Sequence, residues 1–540
     1  PARDRASSIL HRNPSADYPE VAWANGVWIH DRAGKAYLDA SSGAAVSSLG
    51  HGNATVAEAM VRSARRVPYV HSSFFANSEA EELADLLTQR SPAELDHVVF
   101  SSTGSEAVEV ALKLAKQYYA ARGEPARSLF IARRHSYHGG TLATLAVGHA
   151  PSRKRPFEQL LTEHPQIAPC YAYRNQQADE SPEQYGLRVA GELQTTLDRV
   201  GRERVLAFLA ETVSGSSLGA VPAVPGYFRA IREICTNNDI LLILDEVMCG
   251  LYRCGSFAAF EEEGIAPDIF CVGKGLAAGY QPLGATIASR RVVRRIVDAH
   301  RAFAHQGTFM DHPAACGAGL ATQRYILEHE LEPLIRKRGE FLQELLMARC
   351  APLGIVGDVR GRGLLRAVEF VSDRPARRAL GNGEFGQQLR QRAIEQGLLV
   401  YPGGGGAPEG SGDHVLLAPP FIVQEAELEQ MVDRLVRAIE ACDRPPAAFC
   451  PPVEPVESLE ARVAEPARVH SLLNDTVHVS HSFVLENCYA KPSDTVVLAS
   501  SLIEGMGNKY SDLDAYVFCE RLLHPSEVRR LDHHRVLTRQ

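Results

Sequence analysis

Between residues 15 and 440, short apolar runs alternate with amphipathic stretches of helical period. Residues 98–100, 205–210, 240–244 and 269–272 are unbroken apolar runs of strand length. Runs without polar alternation suit strands covered on both faces, and their alternation with helices predicts an α/β fold with a mostly parallel sheet. Residues 106–122 predict a helix closed by Gly123. Ser78 and Glu81 predict a capping box for a helix through Leu87. The pattern changes after about Ala441. Arg444-Pro445-Pro446, Pro451-Pro452 and Pro455 lie close together among glutamates, which is linker chemistry. Apolar runs return near His470, with strands predicted at 495–498 and 513–518.

The length, 540 residues, is three or four domains' worth at ~100–200 residues per domain. Hydrophobic residues at 45% and charged residues at 23% are ordinary for a globular chain and argue against disorder as its main state. A formal net charge of −8 disfavours a nucleic-acid-binding protein, since such affinity comes mostly from Lys and Arg on phosphates. No stretch reaches the ~18 apolar residues of a membrane helix, and residues 1–5 open no secretory leader. The 11 cysteines are scattered and form no CxxC, so a reduced, cytoplasmic protein without disulfides or structural zinc is expected. The chain starts at Pro1 rather than Met, and we expect a piece of a longer fusion.

Three places carry chemistry. Residues 241–244 form an apolar run that ends in Asp245, and Lys274 follows downstream between Gly273 and Gly275. A carboxylate at the carboxyl end of a parallel strand lies where α/β folds bind ligands. Asp245 and Val247, two apart, share a side. Such a carboxylate can keep a pyridinium nitrogen protonated over the valine, and Lys274 is free to form a Schiff base with an aldehyde. Taken singly, the same residues read as a salt-bridged Asp and a surface Lys. Second, Ser101-Ser102-Thr103-Gly104-Ser105 joins a strand to a helix, a phosphate cradle or a simple cap. Third, Ser136-Tyr137-His138-Gly139 offers a ring to stack on a cofactor, or a packing Tyr.

With Leu49-Gly50-His51-Gly52, Pro282-Leu283-Gly284-Ala285, His305-Gln306-Gly307-Thr308-Phe309, Arg360-Gly361-Arg362-Gly363 and Ala418-Pro419-Pro420, these motifs resemble the class III, or omega-type, aminotransferases of the pyridoxal-phosphate fold type I group. The resemblance covers residues 15–440. It implies a large sheet domain at 70–315 and a small α/β domain from 1–69 and 316–440; beyond its span the composition predicts a linker at 441–469 and an appended α/β segment at 470–540. The resemblance implies pyridoxal 5′-phosphate on Lys274 and Asp245 against the pyridine nitrogen. It implies Val247 and Tyr137 as the two faces of the ring sandwich, and Thr103, Gly104 and Ser105 at the phosphate. His138 and Glu211 are expected beside the cofactor, and Thr308 is expected to reach it from the neighbouring subunit of a homodimer. Transamination between a small amine or amino acid and a keto acid or aldehyde is the implied reaction. An aminomutase or racemase on the same scaffold, or a scaffold whose activity lies in the tail, are the alternatives.

Several residues depart from the family's pattern. Residues 401–420 hold no Arg to clamp an α-carboxylate; Asp413 and His414 stand there. Met248 replaces a Gln, and Thr212 a common Pro. Ala44 and Ala45 replace a bulky pair, which predicts a roomy substrate pocket that Phe74 and Phe75 could wall. These features predict amine-type substrates, unless Arg153, Arg155 or Arg366 supplies the missing charge. The tail, with Leu498-Ala499-Ser500-Ser501 and Ser511-Asp512-Leu513-Asp514, resembles the start of a nucleotidyltransferase-type domain. That implies Mg²⁺ on Asp512 and Asp514, which share one strand face; Ala499 stands where a glycine is usual.

Overall fold

The computed structural model describes residues 8–13, 18–380, 384–404 and 412–443, and the strand backbones 495–499, 514–519 and 534–538. The chain divides after Arg444 into two units.

The first unit is built on a seven-stranded sheet. Its strands are β1 (Leu95–Ser101), β2 (Leu129–Arg133), β3 (Gln166–Ile167), β4 (Val205–Glu211), β5 (Leu241–Asp245), β6 (Ile269–Val272) and β7 (Gly284–Ser289). Their order is β1-β7-β6-β5-β4-β2-β3. From β6 to β3 all neighbours are parallel, and β7 runs antiparallel to β6 and β1. Side chains alternate between the two faces. Phe208, Leu242, Leu244, Phe270 and Val272 enter one apolar cluster, whereas Leu209, Leu241, Ile243, Ile269 and Cys271 enter the other. Every residue of β4, β5 and β6 is buried, which is why their sequences show no polar alternation.

Helix α1 (Gly104–Ala121) follows β1 and covers the second cluster. It begins two residues before the predicted start, because Thr103 caps it: its hydroxyl accepts from Glu106 N at 3.2 Å. In return Glu106 Oε2 accepts from Ser102 N at 2.7 Å. Gly123, at φ +83°, follows the last turn, as expected. The helix predicted to start at a Ser78 cap is instead Ser78–Arg90, capped by Asn77, whose side chain accepts from Ala80 N at 3.0 Å. Asn77 is the better cap here because its amide also donates to Asp311 O at 2.7 Å, and the Ser78 hydroxyl is taken by Arg66.

The two ends of this unit meet in a smaller sheet. Val21–Asn25, Trp28–Asp31 and Ala36–Asp39 form an antiparallel meander, and Leu398–Leu399 joins it in parallel, with Leu398 opposite Leu38. A second sheet, of Val356–Arg362, Leu365–Asp373, Asp413–Leu417 and Tyr401–Gly404, is antiparallel. Helix Glu425–Asp443 runs into the stretch read as linker; 444–469 lies outside the described residues. In the second unit, Thr495–Ala499 pairs antiparallel with Asp514–Cys519, which pairs in parallel with His534–Thr538. The predicted strands fall there within a residue. Asp514 opens its strand, and Asp512 lies outside the described residues. Among the described residues, no helix is long and apolar enough to cross a membrane, no cluster of His, Cys, Asp and Glu could hold a metal ion, and the cysteines are free.

One buried carboxylate ties the sheet's carboxyl edge together. Glu246 accepts from Ala259 N at 2.7 Å, from Phe260 N at 3.1 Å and from the Thr212 hydroxyl. It joins the end of β5 to the loop beyond it and to the end of β4. This is the structural use of Thr212, since a proline there would have no hydroxyl to donate. Burial pushes Glu246 up to about 7, against the pull of these donors. A carboxyl raised on folding holds its extra proton between the unfolded and folded pKa values, here from 4.5 to about 7. Its contribution to stability is therefore lost as pH rises through that window. Thr212→Val removes a donor that favours the ionised form and raises Glu246 further. We expect it to cost about 1–3 kcal/mol above the folded pKa and less below the unfolded one. Thermal unfolding of both proteins on either side of the window measures this, and equal losses would mean that Thr212 acts by packing alone.

Candidate active site

The carboxyl ends of β4 and β5, the start of α1 and the turn after β6 converge on a cavity of about 170 Å³. Asp245, the last residue of β5, is buried in its wall. Its Oδ1 accepts from Val247 N at 3.0 Å, and its Oδ2 lies 2.9 Å from His138 Nδ1. A carboxylate only accepts, so His138 carries its proton on Nδ1. His138 Nε2 is buried without a hydrogen-bond partner in the same cavity wall. Val247 faces the cavity beside Asp245, as the two-residue spacing predicts. A Cβ on Gly104 would fall 2.6 Å from Val247 Cγ1, so only glycine fits there. A Cβ on Gly273 would lie 3.3 Å from both Gly104 Cα and Val247 Cγ1, a tight but less severe fit, so both glycines lie close against this valine.

Lys274 lies in the cavity wall at φ +42°, a left-handed backbone that costs a non-glycine residue on the order of 1–3 kcal/mol. Strain of this kind clusters where a side chain is held for use. Burial pushes its amine down to about 8, against the opposing charges of Asp245 and Glu211. A sizeable share is therefore neutral and nucleophilic near pH 8. Glu211, at the end of β4, is buried, accepting from Gly215 N at 3.0 Å and from the Ser217 hydroxyl at 3.3 Å. Burial raises it, His138 opposes the rise, and Asp245 adds to it.

Thr103, Gly104, Ser105, Tyr137, His138, Glu211, Asp245, Val247 and Lys274 thus all line this one cavity. Gly139, Val213, Ser216, Met248 and Cys249 complete it. Cys249 continues the two-residue spacing of Asp245 and Val247, a signal the sequence offered. Val213, in the short strand Val213–Ser214 that pairs with Val221–Pro222, and Ser216, in the turn beyond it, are brought here only by the fold. Met248 stands with its sulfur against Gly215.

The substrate residues expected from sequence divide differently. His414 is buried beside Gly403, held far from protonation by burial and next by Arg360, at about 3, and does not line either cavity described here. Ala45 is buried in a small apolar cluster with Cys249 and Cys254. Ala44, next to it, is half-buried. Phe74 and Phe75 are 78% and 66% exposed, so within one chain they wall nothing. Thr308 is also exposed, its carbonyl accepting from the Tyr69 hydroxyl at 2.9 Å. Arg366 is occupied by the carbonyls of Gly361 and Gly363 and by Gln343.

A second cavity, of about 1200 Å³, adjoins the first and shares Tyr137 and Ser216 with it. Arg153 and Arg155 line it, and the Arg153 guanidinium lies 4.6 Å from the centre of the Tyr137 ring.

The donor set of the smaller cavity fits pyridoxal phosphate. It offers an amine for an aldehyde, a carboxylate for a protonated ring nitrogen and, at the head of α1, N–H groups without helical acceptors for a phosphate. The orphaned Nε2 of His138 marks a wall built for a polar occupant.

The family model for class-III aminotransferases matches residues 13–439. An uncharacterized aminotransferase of Schizosaccharomyces pombe is 38% identical over 440 residues, covering 81% of this chain and 95% of that protein. The uncharacterized aminotransferase YodT of Bacillus subtilis is 34% identical over 440 residues, covering 81% of this chain and 99% of its own. An amine transaminase from an uncultivated Pseudomonas species, solved in its pyridoxal-phosphate-bound form, superposes with a TM-score of 0.75 at 30% identity, over 81% of this chain and all of that one. Sequence, fold and a cavity of matching chemistry agree over the same residues, and the chain belongs to the class-III aminotransferases, which work with pyridoxal phosphate.

Proposed function

We propose that Lys274 and Asp245 carry the transamination. The observation that supports this most is that an amine lowered to about 8 and a buried strand-end carboxylate meet in one small cavity at the head of α1. When bound, pyridoxal phosphate supplies an aldehyde for a covalent link and a ring that takes up the electron pair freed at the substrate's amine-bearing carbon. Lys274 Nζ then serves twice, as the covalent anchor and as the base that takes the proton from that carbon. Asp245, fixed by Val247 N and His138, keeps the ring nitrogen protonated. Val247 and Tyr137 would hold the ring between them, Thr103, Gly104 and Ser105 would hold the phosphate, and Glu211 would stand beside the cofactor.

We further propose a homodimer. Tyr69, Phe74, Phe75 and Phe309 are all exposed on two touching segments, joined by Tyr69 to Thr308 and by Gln306 to Ser73. An apolar surface of that kind is an association surface. Thr308 and the two phenylalanines in this reading serve the partner's cavity rather than their own. Among the described residues the cysteines are free and mostly buried, which suits a reducing compartment, and we assign the protein to the cytoplasm.

Borohydride reduction of the loaded enzyme should fix the cofactor on Lys274, found by peptide mapping. Attachment at another lysine would overturn the assignment. Asp245→Asn should lower kcat by about 10²–10³, the usual worth of one preorganised charge; a variant within threefold of the parent would show that Asp245 has another task. Thr308→Ala should release cofactor more readily. Mixing it with Lys274→Ala subunits should restore about a quarter of the sites if each site draws on both chains of a two-fold dimer. No recovery in exchanged subunits would place Thr308 outside the shared site.

A further inference from the structure

We infer that Arg153 is a specificity-determining residue of this enzyme, which reads a carboxylate or similar anion on the amino donor. The inference rests on the small cavity being the transamination site. It takes up the alternative left open by the lack of Arg in residues 401–420, that Arg153 supplies the missing charge.

The large cavity adjoining the cofactor residues is strongly cationic. Arg12, Arg153, Arg155 and Arg390 line it, against one carboxylate, Asp413. Asp413 Oδ1 already accepts from Gly386 N at 3.1 Å, and burial pushes the group up toward its neutral form. Among the described residues, none of the four arginines has a carboxylate within ion-pair distance. Elsewhere in this unit about half of the described arginines are ion-paired, among them Arg122 with Asp239, Arg232 and Arg291 with Asp268, and Arg362 with Glu263. Guanidinium groups left together without anions, around a cavity, raise the local concentration of an anionic ligand.

Arg153 is singled out by its support. Its guanidinium lies 4.6 Å from the centre of the Tyr137 ring, and Tyr137 borders both cavities. A guanidinium resting on an aromatic face is held in position while its edge donors stay free for a bidentate anion. It therefore stands at the passage between the place of reaction and the room for the rest of the substrate. The missing charge in 401–420 is replaced by one from a different part of the chain, the short helix Pro151–Lys154.

The test uses the loaded enzyme and a matched pair of donors, 5-aminopentanoate and butylamine, with the conversion of bound cofactor followed by absorbance. The parent enzyme should favour the carboxylated donor in kcat/KM by about tenfold or more. In Arg153→Met that ratio should fall by about tenfold, mainly through KM, and Arg153→Lys should keep part of it, because a point charge remains but the fork is lost. Calorimetry with pentanoate, which cannot react, should show weaker binding to Arg153→Met than to the parent. A parent that prefers butylamine, or a ratio and a pentanoate affinity unchanged in Arg153→Met, overturns the inference while the cofactor site stands. Failure of every amine and amino acid to convert the bound cofactor would remove the site assignment itself, and this inference with it.

Discussion

Ionisable groups taken out of water must find partners, and at the carboxyl edge of the central sheet four of them find one another. Asp245, Glu211, His138 and Lys274 would each pay a desolvation cost of several kcal/mol if buried alone. Together they offset it. Asp245 takes donors from His138 and Val247 N, Glu211 takes them from Gly215 N and Ser217, and both carboxylates oppose the loss of charge on Lys274. The balance leaves a lysine poised between its two forms and a carboxylate committed to accepting. Both are held by backbone that the sheet itself fixes.

The surrounding structure preserves that balance. Glu246 points away from the chemistry and binds the loop at Ala259 and Phe260 to the ends of β4 and β5. Gly104 and Gly273 let two turns close on Val247 without a side chain between them. The apolar clusters on both faces of the sheet keep water from the strands that carry the acidic residues. Rigidity is thus concentrated where a ring and a phosphate must be held. The arginine-lined cavity next to it is larger, and loops make up much of its wall.

The fold was legible because its signals are local. A buried parallel strand has to be apolar throughout, and a carboxylate at its end is conspicuous for that reason; Asp245 and Glu211 stood out in this way. The turn at Thr103-Gly104-Ser105 showed itself by composition, and Lys274 by its flanking glycines. The rest depended on contacts distant in sequence. Asn77 outcompeted Ser78 as a cap partly through Asp311, which no helix-local rule could include. Glu246, between two conspicuous neighbours, looked like an ordinary charge until its three donors were in place. Arg153 was one of three arginines named for the missing charge, and nothing local separated it from Arg155 and Arg366; the ring it rests on lies sixteen residues earlier. His414 was chosen for its position in the chain, yet its strand buries it beside Gly403.

The pairing of Leu38 with Leu398 also sets a timetable for biogenesis. All seven strands of the central sheet lie between Leu95 and Ser289, so that sheet can close while the remainder is still being translated. The N-terminal meander cannot gain its fourth strand until 360 further residues have left the ribosome, the separation recorded in the contact of Lys35 with Glu395. At about 5–20 residues per second that is a delay on the order of 20–70 s. During it, the edge of Ala36–Asp39 is an unpaired template for other chains, the kind of nascent surface on which chaperones act.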